Sequence, residues 1–405
     1  MNKQLIVIFC CILFIACNTD TKKASTAVAN KTEIKLKTKH SGEPNLHSSN
    51  SGDLFISWVE YENDSVDVLK FSQLKNGTWT EGKEISRGQN WFVNWADFPS
   101  IISINDSTMT AHWLQTSASG TYDYDVRISQ SRDGGNTWKP SIIPHRDCIN
   151  AEHGFVSLLP CPEGKTLAVW LDGRNTKNEV NNAMTLRTAT IDHDGNLSDE
   201  SELDSRVCDC CQTGATWTSK GPLVVYRDRT EDEIRDISYV KKTNGVWSKP
   251  KSIVKDNWKI SGCPVNGPSI DSHDSLVVVS WFTSADEEPS VYAALSRDYG
   301  ETFSNHLRID EGNAIGRVDI KIDDNRIIVS WMEDNKDNKQ DAEIKLRIIQ
   351  PDFKTSQVFK VASNSSSRAS GFPQLKTQNN NIIMAWTEVG DTSTLVKTYK
   401  IQIDE

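Results

Sequence analysis

Beyond its first sixteen residues this sequence has no long amphipathic helical pattern, which argues against a helical fold. It has no excess of positive charge. Against 45 Lys and Arg stand 55 Asp and Glu, a formal net charge of -10, and this speaks against a nucleic-acid partner. Its apolar run, LIVIFCCILFIA after Lys3, is too short for a comfortable transmembrane helix and reads as a targeting segment. What the chain does have is tryptophan, 13 in 405 residues, set in short strand-like runs that suit sheet-on-sheet packing.

The targeting run ends in Phe14-Ile15-Ala16-Cys17. A small residue just before Cys at the end of an apolar run resembles the bacterial lipoprotein signal. The resemblance implies cleavage before Cys17 and lipid on its thiol and amine. Phe14 departs from the usual aliphatic residue, and an ordinary secretory peptide is the alternative. Residues 1–16 are then the signal, 17–32 a polar flexible tether, and 33–405 the folded body. The expected location is the bacterial cell envelope, facing the periplasm or the outside. In that oxidising setting the six cysteines of the body, Cys148, Cys161, Cys208, Cys210, Cys211 and Cys263, suggest a disulfide framework.

One phrase recurs seven times: FISWVEY around Trp58, TAHWLQ around Trp113, AVWLDGR around Trp170, VVYRDR around Tyr226, VVSWFT around Trp281, IVSWMED around Trp331 and IMAWTEV around Trp386. The spacings are 55, 57, 56, 55, 50 and 55 residues. A period of this length, built of alternating strands, predicts an all-β β-propeller. Each unit reads as four antiparallel strands. The last has three, so the lone strand Glu33-Thr38 is expected to close it, giving seven four-stranded blades with six as the alternative count. A closed ring needs no partner to hide its edges, so a monomer is expected.

A second motif lies between third and fourth strands. Ser131-Arg-Asp-Gly-Gly-Asn-Thr-Trp138 and Ser296-Arg-Asp-Tyr-Gly-Glu-Thr-Phe303 match S-x-D-x-G-x-T-[WF]. They resemble the Asp-box, or BNR repeat, of the sialidase-like propellers. The expected role is structural: Asp133 and Asp298 bond turn amides, Gly accepts a positive φ, and the aromatic packs beneath. The run GKTLAVWLDGRN is similar to a sialidase strand whose arginine and carboxylate reach the active site.

That resemblance implies a ligand site where first strands begin and where second strands end. Arg174, Arg227, Arg229, Arg317 and Arg368, with His153, are candidates to hold a carbohydrate or small anionic ligand, since guanidinium forks match carboxylates. Asp172 and Asp97 are candidate acids of a sialidase-like hydrolase, but no tyrosine nucleophile is assignable and His153-Gly154-Phe155 replaces the family's Arg-Ile-Pro. The competing reading makes Arg227, Arg229 and Asp228 inter-blade ion pairs. Three function classes follow: a membrane-anchored propeller that recognises an anionic or sialylated glycan, with sialidase-type hydrolysis as its enzymatic form; a non-catalytic binding or assembly module; and a thiol-dependent metal or redox protein. Cys208-Asp-Cys-Cys211 and Cys263 precede the first strands of adjacent blades by the same offset and so come close together. They are disulfide candidates, with a Zn or Cu(I) thiolate site or a redox pair as alternatives; no other cofactor is implied.

Overall fold

The computed structural model describes residues 27–403 apart from 179–181, 325, 336, 337, 339 and 351. The signal and Cys17 lie outside the described residues. Among the described residues no helix is long and apolar enough to cross a membrane. The chain is all β, with seven sheets arranged as the blades of a propeller and only short 3-10 turns between strands.

Blade 3 shows the plan. His153–Pro160 is innermost, followed outward by Thr166–Asp172, Met184–Ile191 and Leu197–Val207, each antiparallel to its neighbour. Blade 4 repeats it with Gly214–Thr218, Gly221–Arg227 and Ile237–Thr243, its outer edge split into two short pieces. First strands of blades 5, 6 and 7 are Ser269–His273, Ala314–Asp323 and Gln374–Gln378. In blade 2 the fourth strand is reduced to a single bridge, Ile128 to Ile142.

The recurring aromatics occupy second strands and fill the space between blades. Trp58, Trp170, Trp281, Trp331, Trp386 and Tyr226 are all buried. A typical cluster joins Ile102, Leu114 and Val126 of blade 2 to Leu158, Ala168 and Trp170 of blade 3, so each blade gains its core from its neighbour. Burying an indole requires a partner for its N–H. The phrase supplies one two residues on: Trp58 donates to Glu60 (3.2 Å), Trp170 to Asp172 (2.8 Å) and Trp331 to Glu333 (2.9 Å).

The ring closes with its first described residues. Asn30–Glu33 pairs antiparallel with Thr394–Gln402, Asn30 opposite Gln402 and Glu33 opposite Tyr399. The closing strand thus lies about three residues earlier than Glu33-Thr38. Ile34 still bonds Thr398 through its amide (2.9 Å), but the chain then leaves for blade 1, and Ile34 and Leu36 pack beside Leu46, Trp58 and Val396 between the two blades. Ala27–Val28 adds a parallel strand to the outer edge of blade 6. Residues 27–32, expected as tether, are therefore largely strand.

First strands begin on one face of the wheel, here the front. The S-x-D-x-G-x-T turns lie at the opposite ends of their strands, on the back. In both turns the Asp carboxylate accepts the Thr amide (2.8 Å at Thr137, 3.0 Å at Thr302) and the Thr hydroxyl (2.7 and 2.6 Å). Gly135 has φ of 75°, and a Cβ there would come 2.2 Å from the Phe71 ring. Trp138 packs edge-on against Phe71, and Phe303 against Tyr239, each reaching the preceding blade. The turns are blade-to-blade fasteners.

Candidate functional site on the front face

A channel of about 230 Å³ follows the axis, lined by first-strand residues including Asn45, Ser157, Ala215, Ser269 and Lys376. The segment before blade 2 reaches over its front end. Trp95 stacks on Phe372 of blade 7 (5.7 Å), the Arg317 guanidinium of blade 6 lies over the Trp95 ring (4.8 Å), and the Ala96 carbonyl accepts from the Gln212 amide of blade 4. None of the five candidate arginines lines the channel.

Four of those arginines are engaged within the protein. Arg174 opens a short 3-10 turn and grips Asp172 bidentately, Nε to Oδ1 and Nη2 to Oδ2 at 2.7 Å each, with Asp147 3.0 Å away. Arg227 is buried and donates to the carbonyls of Asn266, Arg235 and Phe282, tying blade 4 to blade 5. Arg229 sits between Glu233 and Asp209. Arg317 is buried among Ser370 Oγ (2.6 Å) and the carbonyls of Ser366, Ser367 and Gly371, tying blade 6 to blade 7; burial pushes its guanidinium down to about 10. Arg368 alone of the five is exposed. The expected arginine cluster for an anionic ligand is therefore not assembled. Arg227 and Arg317 serve inter-blade bonding because a guanidinium fork reaches several carbonyls at once, while Arg174 and Arg229 are held by the carboxylates of Asp172 and Glu233.

The two candidate acids are also internal. Asp172 is fully buried and accepts from Trp170, from Arg174 and from the Arg174 amide. Burial pushes its carboxyl up, but Arg174, His153 and Trp170 outweigh it and hold it below the usual range, so it is ionised and not a proton donor. Asp97 caps a bulge in the first strand of blade 3, accepting the Phe155 amide (2.7 Å) where Phe155 has φ of 52°. Asn266 caps the corresponding bulge of blade 6 through the Arg317 amide (2.7 Å), Arg317 having φ of 55°. Burial pushes Asp97 up to about 7, so it spends much of its time as a neutral acid resembling the asparagine amide.

Beside Asp97 lies a constellation the motifs did not single out. Tyr124, 1% exposed, places its hydroxyl 3.1 Å from Asp97 and 2.9 Å from Glu152. One phenol cannot donate to both at once, so a proton on one carboxyl completes the chain. Burial pushes Glu152 up to about 8 against the Tyr124 bond. Glu152 is half-buried and is the solvent-facing member.

His153 is buried, its Nδ1 facing the carbonyls of Tyr124 and Ala151 and its Nε2 3.1 Å from Asp147. Burial opposes its charge, but Asp147, Asp172 and Asp125 outweigh that and raise its pKa. It holds Asp147 rather than a ligand. His145 stacks on it, rings 3.6 Å apart and 1° from parallel. Lone pairs in two parallel planes cannot meet at one cation, and Asp147 and Asp172, which with His153 form the other close set, are both already paired with the Arg174 guanidinium, so the group reads as a polar network linking blades 2 and 3.

The cysteines converge as their spacing predicts. Cys208 Sγ lies 3.5 Å from Cys211 Sγ and 3.9 Å from Cys210 Sγ, and Cys263 lies on the Cys210 side of this three-sulfur group. The expected disulfide framework is absent: all six cysteines are free thiols, with Cys148 exposed and Cys161 half-buried apart from the group. A disulfide needs about 2.05 Å between sulfurs. Bonds from Cys210 and Cys211, with Arg227 nearby, hold the Cys208 thiol well below its usual range. Arg235, which no motif marked, places Nη1 3.2 Å from Cys208 Sγ.

No protein-family model and no curated protein matches the chain. Among solved structures it is similar to the polysaccharide lyase Uly1 (9% identity, 95% of this chain and 94% of that one, TM-score 0.52). It is also similar to an α-L-arabinofuranosidase of Fusarium graminearum (13% identity, 94% and 98%, TM-score 0.49) and to the leech intramolecular trans-sialidase (12% identity, 93% and 70%, TM-score 0.45). At these identities the likeness is one of fold.

Proposed function

We propose that this protein is a non-hydrolytic recognition propeller of the cell envelope, anchored through lipid on Cys17, that holds a carbohydrate on its front face. The observation that carries the reading is the engagement of Arg174, Arg227, Arg229 and Arg317 in internal bonds, with Tyr124 buried. Sialoside hydrolysis needs guanidiniums free for the substrate carboxylate and a nucleophile that substrate can reach. What the front face offers instead is Glu152, a neutral acid at pH 7, suited to hydrogen-bonding sugar hydroxyls. The fold shared with carbohydrate-active proteins supports the ligand class only as an analogy. A second reading, an enzyme with Glu152 as general acid, is favoured by that raised pKa.

The test pairs fluorogenic sialoside and arabinofuranoside assays with calorimetric titration of a glycan panel. The expected result is no turnover, and glycan binding that Glu152→Ala weakens. Turnover lost in Glu152→Gln would replace this reading by the second. No binding to any glycan would remove both. Cys17→Ser should move the protein from the membrane to the soluble fraction; unchanged fractionation would remove the anchor.

A further inference from the structure

We propose that Cys208, Cys210, Cys211 and Cys263 form a binding site for a thiophilic closed-shell cation, Cu(I) or Zn(II). The site lies beside Glu152 but does not depend on the glycan reading. The loop after Leu197–Val207 turns so that three sulfurs from four consecutive residues come within 4.8 Å of one another. Tetrahedral thiolate coordination at about 2.3 Å sets sulfurs about 3.8 Å apart. The observed 3.5 and 3.9 Å bracket that value. Cys263, from the segment leading to blade 5, lies outside that three-sulfur group on the Cys210 side and would supply the fourth sulfur by closing on the ion.

The surrounding charge points the same way. Arg227 and Arg235 are both buried beside these sulfurs. Arg227 donates to backbone carbonyls alone and forms no ion pair among the described residues. A buried cation without an anion is costly. Cys208 is seated directly on the Arg227 strand, its amide bonding the Arg227 carbonyl at 3.0 Å. Three thiolates with Cu(I), or four with Zn(II), each carry a net charge of about -2, which Arg227 and Arg235 offset in part, Arg235 also pairing with Glu233 at 2.8 Å. With neutral thiols Arg227 would rest on those carbonyls and on the Trp258 ring 5.0 Å away, and a nearby anion adds to that support. Sulfur donors select soft ions over Mg²⁺ or Ca²⁺. Cys208 and Cys211 are buried, Cys210 half-buried and Cys263 exposed, so a cation enters from the Cys263 side.

The experiment uses the detergent-extracted full chain, purified under reductant and dialysed separately against chelator-buffered Cu(I) and Zn(II). One cation per chain is expected in at least one arm, and the arm that loads identifies the ion. X-ray absorption should show a sulfur-only shell. Alkylation followed by mass spectrometry should show protection of Cys208, Cys210, Cys211 and Cys263 but not of Cys148. Cys211→Ser should weaken binding by at least about 100-fold, and Arg235→Met, which removes charge outside the shell, by about 10- to 100-fold. Because Cys211 is buried, Cys263→Ser at the exposed position serves as the variant whose folding is safe; it too should weaken binding. Failure of the folded chain to load in both arms, a nitrogen or oxygen shell, or unchanged alkylation on loading would overturn the proposal.

Discussion

The two faces of the wheel use the same side chain in opposite ways. On the back, Asp133 accepts from the amide and hydroxyl of Thr137, and these bonds push its carboxyl down to about 2. Asp298 does the same three blades on. On the front, burial pushes Asp97 up to about 7 and Glu152 up to about 8. The back-face arrangement recurs; the Glu152–Tyr124 chain and the cysteine loop each occur in a single place. Recurrence marks the parts that hold blades together, since a ring of stacked units repeats whatever each interface requires. Chemistry that appears once answers to something other than the ring.

The sharpest way to break this contrast is on the front. Arg227→Ala leaves the carbonyls of Asn266, Arg235 and Phe282 without their donor in a buried site, and should cost about 3 kcal/mol or more. Denaturant titration reads it as a lower midpoint; an unchanged midpoint would mean the arginine is free for a ligand after all. A smaller effect concerns pH. Asp97 and Glu152 keep protons in the folded protein that the unfolded chain releases above about pH 4, so stability falls as pH rises from about 4 through 7 to 8, then levels off. Asp97→Asn should flatten part of that slope in calorimetric scans, and an unaltered slope would contradict the neutral-acid role. The smallest effect is on the back. Asp133, held low, contributes stability that is complete above about pH 4 and lost as pH falls toward 2. Asp133→Ala should lower the melting temperature slightly at pH 7 and not at pH 2. Equal losses at both would show that the turn, not its charge, matters.

Much of this was legible in the sequence because it was periodic. The Trp58-to-Trp386 phrase placed each second strand, and every member proved to be core. The offset of Cys210 and Cys263 before their blades anticipated their contact. The closing strand was off by three residues because Ile34 and Leu36 alternate as a strand would, yet their burial lies between blades 7 and 1. The arginines were read as facing the hub because their loops do. Arg227 and Arg317 bond backbone carbonyls of the next blade, such as Asn266 and Phe282 for Arg227, and a carbonyl leaves no mark in a sequence; Arg174 and Arg229 pair with carboxylates, Asp172 and Glu233. Tyr124 with Asp97 and Glu152 was hidden for a related reason, since the three come from separate stretches and no spacing rule joins them.

Asn30 lies opposite Gln402, so two positions near the two ends of the described chain stand side by side within one sheet. A short linker could splice those positions, and new ends could be opened in a back-face turn such as that after His273 without removing any blade. A circularly permuted version should therefore fold to the same wheel, which offers a way to move the segment that precedes Ala27 to a different blade and change which face of the ring it leaves from.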